Sequence, residues 1–403
     1  MTLLKDPLEF FGTDALQDPY PLYDRLRAES PVHRIGESGF YVACTWAAIN
    51  DALNRPEDFS SNLTATMTYT PEGVVPFEIG DLGGPTQILA TADDPAHAVH
   101  RKMLVPRLAA KRINAMAPFI TETFDRLWSD GLHDGSIEWM EALANALPMM
   151  VVARLIGVPA ADVGQLTEWA YASTHLLDGL VDQDQLAAGS LAALELGGYI
   201  LDHFERAAAN PQDNLLGDLA SACASGEFDQ LAAQVMMIIL FSAGGESTGS
   251  LLGNAMEILA TRPDLQRQIR ENPGLLDMFI EETLRYEPPF RGHYRHVVAD
   301  TSLGGADLSA GSRLLLLWGA ANRDPTQFDA PHEFRLDRPS GRGHLTFGRG
   351  AHFCVGAALA RLEARLVFGA VFDRTSRIDA VAIGPWLPSI LVRRRERLEL
   401  TVQ

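Results

Sequence analysis

Three cysteines are scattered along the chain, and one of them sits in company that suggests chemistry. Cys354 follows Phe347, Gly348, Gly350 and His352, precedes Gly356, and leads directly into a predicted amphipathic helix. Glycines on both sides let the backbone turn sharply and approach a flat ligand closely. At a helix start, unpaired amides and the macrodipole favour an anion, so the segment suits a thiolate. A buried cysteine capping an ordinary helix would read the same way locally. Cys44 and Cys223 read as small buried apolar residues, and no CxxC pair indicates a disulfide framework or structural zinc.

Other polar residues stand at spacings that matter. Glu246, Ser247 and Thr248 follow Gly244 and Gly245 inside a long apolar helical stretch. Adjacent glycines cost about 1 kcal/mol each mid-helix relative to alanine, so the spacing predicts an interruption there. An acid and two hydroxyls in apolar surroundings need partners, and a satisfied core cluster at a kink is the plainer alternative. Glu282 and Arg285, three apart, share a helical face and can pair, most often as a solvated surface pair. His97 and Arg101, four apart, also share a face.

The elements that must position these residues are mostly helical. Helical periodicity dominates from about Asn114 to Phe372, and short β-like segments fall near His33–Cys44, His296–Leu317 and Leu387–Val402. Thr70–Pro85 and Pro331–Gly350, rich in proline and glycine, read as long irregular loops suited to binding. No repeat or composition shift marks a boundary, so one α-rich domain over residues 1–403 with small sheets is expected. With 33 basic against 52 acidic side chains the net charge is -19, which disfavours nucleic acid as a partner. Lys5, Asp6 and Pro7 interrupt the N-terminus before a secretory signal builds up, and no run of ~20 uninterrupted apolar residues predicts a membrane span. The cytoplasm is the expected location.

FGRGAHFCVG resembles, at each fixed position, the F-G-x-G-x-H-x-C-x-G cysteine loop of the cytochromes P-450. That resemblance implies a mainly α fold with small sheets, and a haem b held by Cys354 as the iron's proximal ligand, with Phe347 and Gly348 beside it. It implies that Glu282 and Arg285, as E-x-x-R, join Arg338 in a buried structural triad. Ala243–Thr248 is similar to the family's central-helix motif A-G-x-[DE]-T, where glycines such as Gly244 widen an oxygen groove and an acid–alcohol pair relays protons. Here Ser247 holds the usual threonine position and Thr248 follows, so either hydroxyl could face the oxygen. His97, Arg101, Arg295 and His352 match positions that bind the haem propionates, while His100 is expected off that face.

The resemblance spans nearly the whole chain, and SSNLTATMTYT and FRGHYRHV look most like the actinobacterial family numbered 144. It implies a monooxygenase that inserts one atom of O2 into a largely apolar small molecule, with electrons from a ferredoxin or flavodoxin and its reductase. A patch of Arg101, Lys102, Arg107, Lys111, Arg112 and Arg349 would steer such an acidic partner. Leu63–Gln87 and Pro289–His293, with Met67, Tyr69, Phe77, Phe290 and Tyr294, are expected to line the substrate pocket. A peroxide-using or isomerising relative and a non-catalytic haem or gas sensor are the alternatives; the retained Glu246 and its neighbouring hydroxyls favour the monooxygenase.

Overall fold

The longest helix, Gln230–Thr261, starts where the Asp229 side chain accepts from the Ala232 amide and ends at a proline-led helix, Pro263–Glu271. A side-chain cap and a following proline are ordinary ways to fix both ends. This is a computed structural model, and it describes residues 2–4, 6, 8–70, 73–79, 87–177, 179–180, 182–338 and 343–403. The expected interruption at Gly244 and Gly245 is not present: the helix runs through them unbroken. The glycines serve packing instead. A Cβ on Gly245 would lie 1.8 Å from Met149 Sδ, and one on Gly244 would lie 2.9 Å from Val152 Cγ2. Their bareness lets the helix Ala146–Ile156 come close on that side.

The second half of the central helix buries Leu251, Leu252, Ala255, Met256 and Leu259 among Leu143, Leu147, Val151, Phe279 and Phe368. That core ties it to the helices Leu276–Tyr286 and Ala357–Arg374, which carry the E-x-x-R residues and follow the cysteine loop. By length and composition the central helix could cross a membrane, a reading the sequence did not suggest, yet 56% of its most apolar window is buried inside the protein. A core helix explains that composition.

A six-stranded sheet packs beside the helices in the spatial order Thr2–Leu4, Val32–Ile35, Phe40–Ala43, Arg313–Leu316, His293–Val297, Phe59–Ser60. Arg295 pairs with Leu314 in it, so a central strand fixes its register. A smaller sheet joins Ile378–Ile383, Leu398–Val402 and Ser136–Glu138. The segment Leu387–Val402 is strand only in its last part, and Thr70–Pro85 is not simply irregular. Ala65–Thr70 pairs with Gly73–Glu78 as a hairpin whose Pro76 sits opposite Met67. In a two-stranded ribbon each strand is an edge, which tolerates a proline. Residues 71–72 and 80–85 of that expected loop and 339–342 of the later one lie outside the described residues.

Candidate active site

A cavity of about 210 Å³ opens where the cysteine loop, the central helix and the strand His293–Val297 converge. The loop supplies Phe347, Gly348, His352, Cys354 and Val355, the helix supplies Ala243, Ser247, Thr248 and Leu251, and the strand supplies His293 and Arg295. Gly348 and Gly350 take φ of +66° and +67°, a left-handed backbone that a side chain disfavours. Those two turns fold the loop back so that the Cys354 amide donates to the Phe347 carbonyl at 2.8 Å.

Cys354 is accessible from this cavity while deeply surrounded by protein. Burial pushes its thiol up, against pulls from the amides of Gly356 and Ala357 and from Arg101 and Arg361. The net direction is upward, so the sulfur needs a cation to become a thiolate. A metal ion inverts that balance and deprotonates the thiol it binds.

Arg295 is buried, lines the cavity, and has no carboxylate within ion-pair distance among the described residues. Its one described bond runs from Nη1 to the Tyr294 carbonyl, and burial lowers its guanidinium to about 10. His352 also lines the cavity, and its buried Nδ1 makes no hydrogen bond among the described residues. Burial, with His97 and Arg295 nearby, lowers this imidazole to about 4. His97 stacks on it at 3.9 Å between ring centroids, behind the cavity wall, with Nδ1 3.4 Å from Asp94 Oδ1. Arg101 donates to the Phe353 carbonyl at 2.8 Å, beside the loop and outside the cavity lining. His100 lies off this face as expected: its Nδ1 accepts from the Leu89 amide, and it packs edge-on against Phe228.

The E-x-x-R pair is no surface pair. Arg285 donates through Nε and Nη2 to Glu282 at 2.8 and 2.7 Å, and both are buried. Arg338 Nε reaches the same carboxylate at 2.8 Å, and both arginines bind the Glu333 carbonyl. The triad thus clamps the segment that leads into the cysteine loop.

Across the cavity, Ser247 Oγ donates to the Ala243 carbonyl at 2.6 Å, and Thr248 makes no hydrogen bond among the described residues. Glu246 is turned the other way. It is fully buried behind the helix, neither carboxylate oxygen makes a well-formed hydrogen bond among the described residues, and Arg394 Nη2 stands 3.7 Å from Oε1. Burial raises its carboxyl to about 7, with Arg394 and the neighbouring Thr174 hydroxyl pulling the other way. Gly244 is also turned from the cavity, toward Val152, and Ala243 lines the cavity on that face of the helix instead.

Several expected lining residues do other work. Met67 and Tyr294 are buried in a core with Phe10 and Phe11, the Met67 amide donates to the Tyr294 hydroxyl, and Tyr69 stacks on Phe11. Phe77 is not on the cavity, whereas Pro289, Phe290 and His293 are. His293, Leu89, Leu240 and Trp318 line the cavity without a role foreseen from sequence beyond the segment that holds His293. His293 had a signal: two residues before Arg295 in a strand, it shares that residue's face. The expected basic patch is partly neutralised. Arg107 is held by Asp213 and Asp218, Arg112 lies 3.5 Å from Asp213, and Lys102 lies 4.0 Å from Glu227.

A thiol on one wall, two buried nitrogen groups without carboxylate partners among the described residues, and apolar surfaces between them suit a flat, apolar, metal-bearing ring with acidic side arms. The donor set fits haem. The cytochrome P-450 family model matches residues 215–376. Cytochrome P-450 144 of Mycobacterium tuberculosis is 67% identical over 404 residues, covering 100% of this chain and 93% of its own. The chain belongs to the cytochrome P-450 family: it is a haem-thiolate monooxygenase, with haem b bound by a cysteine thiolate as its cofactor. Vitamin D(3) 25-hydroxylase of Pseudonocardia autotrophica is 31% identical over 403 residues, covering 98% of this chain and 96% of its own. A solved Bacillus megaterium cytochrome P-450 in complex with testosterone superposes with a TM-score of 0.86 at 27% identity, covering 96% of this chain and 99% of that one.

Proposed function

We propose that Cys354 is the iron ligand and that the chain works as a single domain, in the cytoplasm, oxidising a largely apolar small molecule with O2. The observation that carries this reading is the position of the Cys354 thiol, on the cavity wall across from the Ser247 and Thr248 side of the central helix. When bound, the haem supplies activation of O2 for insertion of one oxygen atom into the substrate.

The chain's own residues do the rest. Phe347 and Gly348 shape the floor around the sulfur. Arg295 and His352 hold the two acidic arms, with His97 bracing His352 from behind and Arg101 bracing the loop at Phe353. Charge-assisted contacts of this kind are the strong ones, and a buried arginine with no acid of its own is poised for one. Glu246, with its carboxyl raised to about 7, holds a proton near neutral pH and passes it toward the hydroxyl pair. Ser247 or Thr248 then presents a hydroxyl to the oxygen side.

Leu89, Leu240, Leu251, Phe290 and Trp318 give the cavity apolar walls, which suit an apolar substrate. Electrons would come from a ferredoxin or flavodoxin with its reductase, docking where Arg101, Lys111 and Arg349 remain without carboxylate partners among the described residues. The deciding experiment is optical. The reduced carbonyl complex should show the red-shifted Soret band of thiolate ligation, and Cys354→Ala should abolish it. Persistence of that band in the variant would overturn the assignment.

A further inference from the structure

A second charged cluster lies on the thiolate side, and neither haem binding nor the buried triad uses it. Glu281, on the helix Leu276–Tyr286, accepts from Arg361 Nε at 2.5 Å and Nη2 at 2.9 Å. His344 Nε2 lies 3.3 Å from the same carboxylate. The Arg361 guanidinium also sits 4.5 Å from the centroid of the Phe347 ring. One cation is therefore pinned between a buried carboxylate and the ring of Phe347, the residue whose carbonyl accepts from the Cys354 amide.

The cluster is charged at working pH. Burial pushes the Glu281 carboxyl up, but hydrogen bonds from His344 and Arg361 outweigh it and bring it to about 2. Burial lowers the His344 imidazole, so this ring is the neutral member. Loop anchoring alone does not require this pair, because Glu282, Arg285 and Arg338 already clamp the segment before the loop.

We propose that Arg361 and Glu281 are positioning residues that act on Cys354 through Phe347, and that their opposed charges set the reduction potential of the bound haem. This rests on Cys354 being the iron ligand. Reduction adds negative charge at the site, so an unbalanced cation nearby favours it and an unbalanced anion opposes it.

The test is a spectroelectrochemical titration of the haem-loaded protein at pH 8. Glu281→Gln keeps an acceptor for Arg361 but removes the anion, and should raise the midpoint potential. A roughly tenfold gain in the reduction equilibrium is expected, which is about 59 mV for one electron. Arg361→Gln should move the potential down. The double variant should return near wild type, and Arg361→Lys should stay there, because charge balance governs and not shape. Unmoved potentials in both single variants, or shifts of the same sign, would sink the proposal. If Arg361→Gln does not fold, Glu281→Gln decides alone, since an upward shift is required of it. A wild type without the red-shifted Soret band would indict the Cys354 assignment instead, whereas a normal band with unmoved potentials indicts only the present inference.

Discussion

Around the cysteine loop, Glu281, Glu282, Arg285, Arg338 and Arg361 are all paired at hydrogen-bond distance. Behind the central helix the pattern reverses: both oxygens of Glu246, Nε of Arg394 and Nε2 of His175 are buried and make no well-formed hydrogen bond among the described residues. The exceptions on the cysteine side are His352 Nδ1 and Glu363, one oxygen of which makes no hydrogen bond among the described residues while burial raises its carboxyl well above the usual range. A fully satisfied network is rigid, which is what a metal ligand needs. Buried polar atoms without protein partners, clustered within reach of one another, mark a place where water belongs. On the proposed reading the two sides of the cavity divide the labour, one holding still and the other carrying protons.

The largest effect should come from breaking the rigid side. Arg285→Leu leaves Glu282 buried and stripped of its two-point partner, and losing one member of a buried pair costs about 3–5 kcal/mol. Chemical denaturation should show that loss, together with poor haem retention, and a stability within about 1 kcal/mol of wild type would refute the clamp.

A smaller but more diagnostic effect lies on the other side. Glu246→Gln removes the proton carrier while preserving volume, and turnover should fall by about 10²-fold. The pH dependence sharpens the comparison. Because the folded carboxyl is raised to about 7, wild-type turnover should decline as pH rises through that value, and the variant's residual rate should be flat there. Stability follows the same sign: a raised carboxyl contributes fully below its unfolded pKa and loses that contribution as pH rises through the folded value. Wild type should therefore soften between about pH 4.3 and 7 at this site, and the glutamine variant should not. Identical pH profiles would remove Glu246 from the relay.

How much of this was legible in the sequence differs between the same two sides. The cysteine loop, the triad and Arg295 were legible through the family resemblance, since by spacing alone Cys354 read equally as a helix-capping cysteine and Glu282 with Arg285 as a surface pair. Glycines flanking Cys354 could be read as left-handed turns, and Gly348 and Gly350 adopt them. The oxygen side depends on packing between distant segments, which spacing does not encode. Nothing around Gly244 announces that Met149 and Val152 fill the space beside the glycine pair, or that Arg394 faces Glu246. Met67 and Tyr294 mislead for the same reason: aromatic and sulfur side chains suit a pocket and a core equally, and here a core formed around Phe10 and Phe11 took them.

The smallest predicted effect settles which hydroxyl works. Ala243, Ser247 and Leu251 recur every four residues along the central helix, so Ser247 lies mid-stripe on the face that lines the cavity. Its hydroxyl donates to Ala243, which leaves its lone pairs free to accept from a group in the cavity. Thr248 lies at the margin of that stripe and is almost completely buried. Ser247→Ala should therefore lower product formed per O2 consumed by about 2- to 10-fold, the worth of one net hydrogen bond of about 0.5–1.5 kcal/mol. Thr248→Ala should change it by less than about twofold, since it removes a hydroxyl bonded to nothing in the protein. Ser247→Thr should retain the wild-type ratio, because threonine keeps the hydroxyl and in a helix can bond the same carbonyl four residues back. Measuring oxygen uptake against product for the three variants ranks the two positions directly, and the opposite ranking would transfer the oxygen-side role to Thr248.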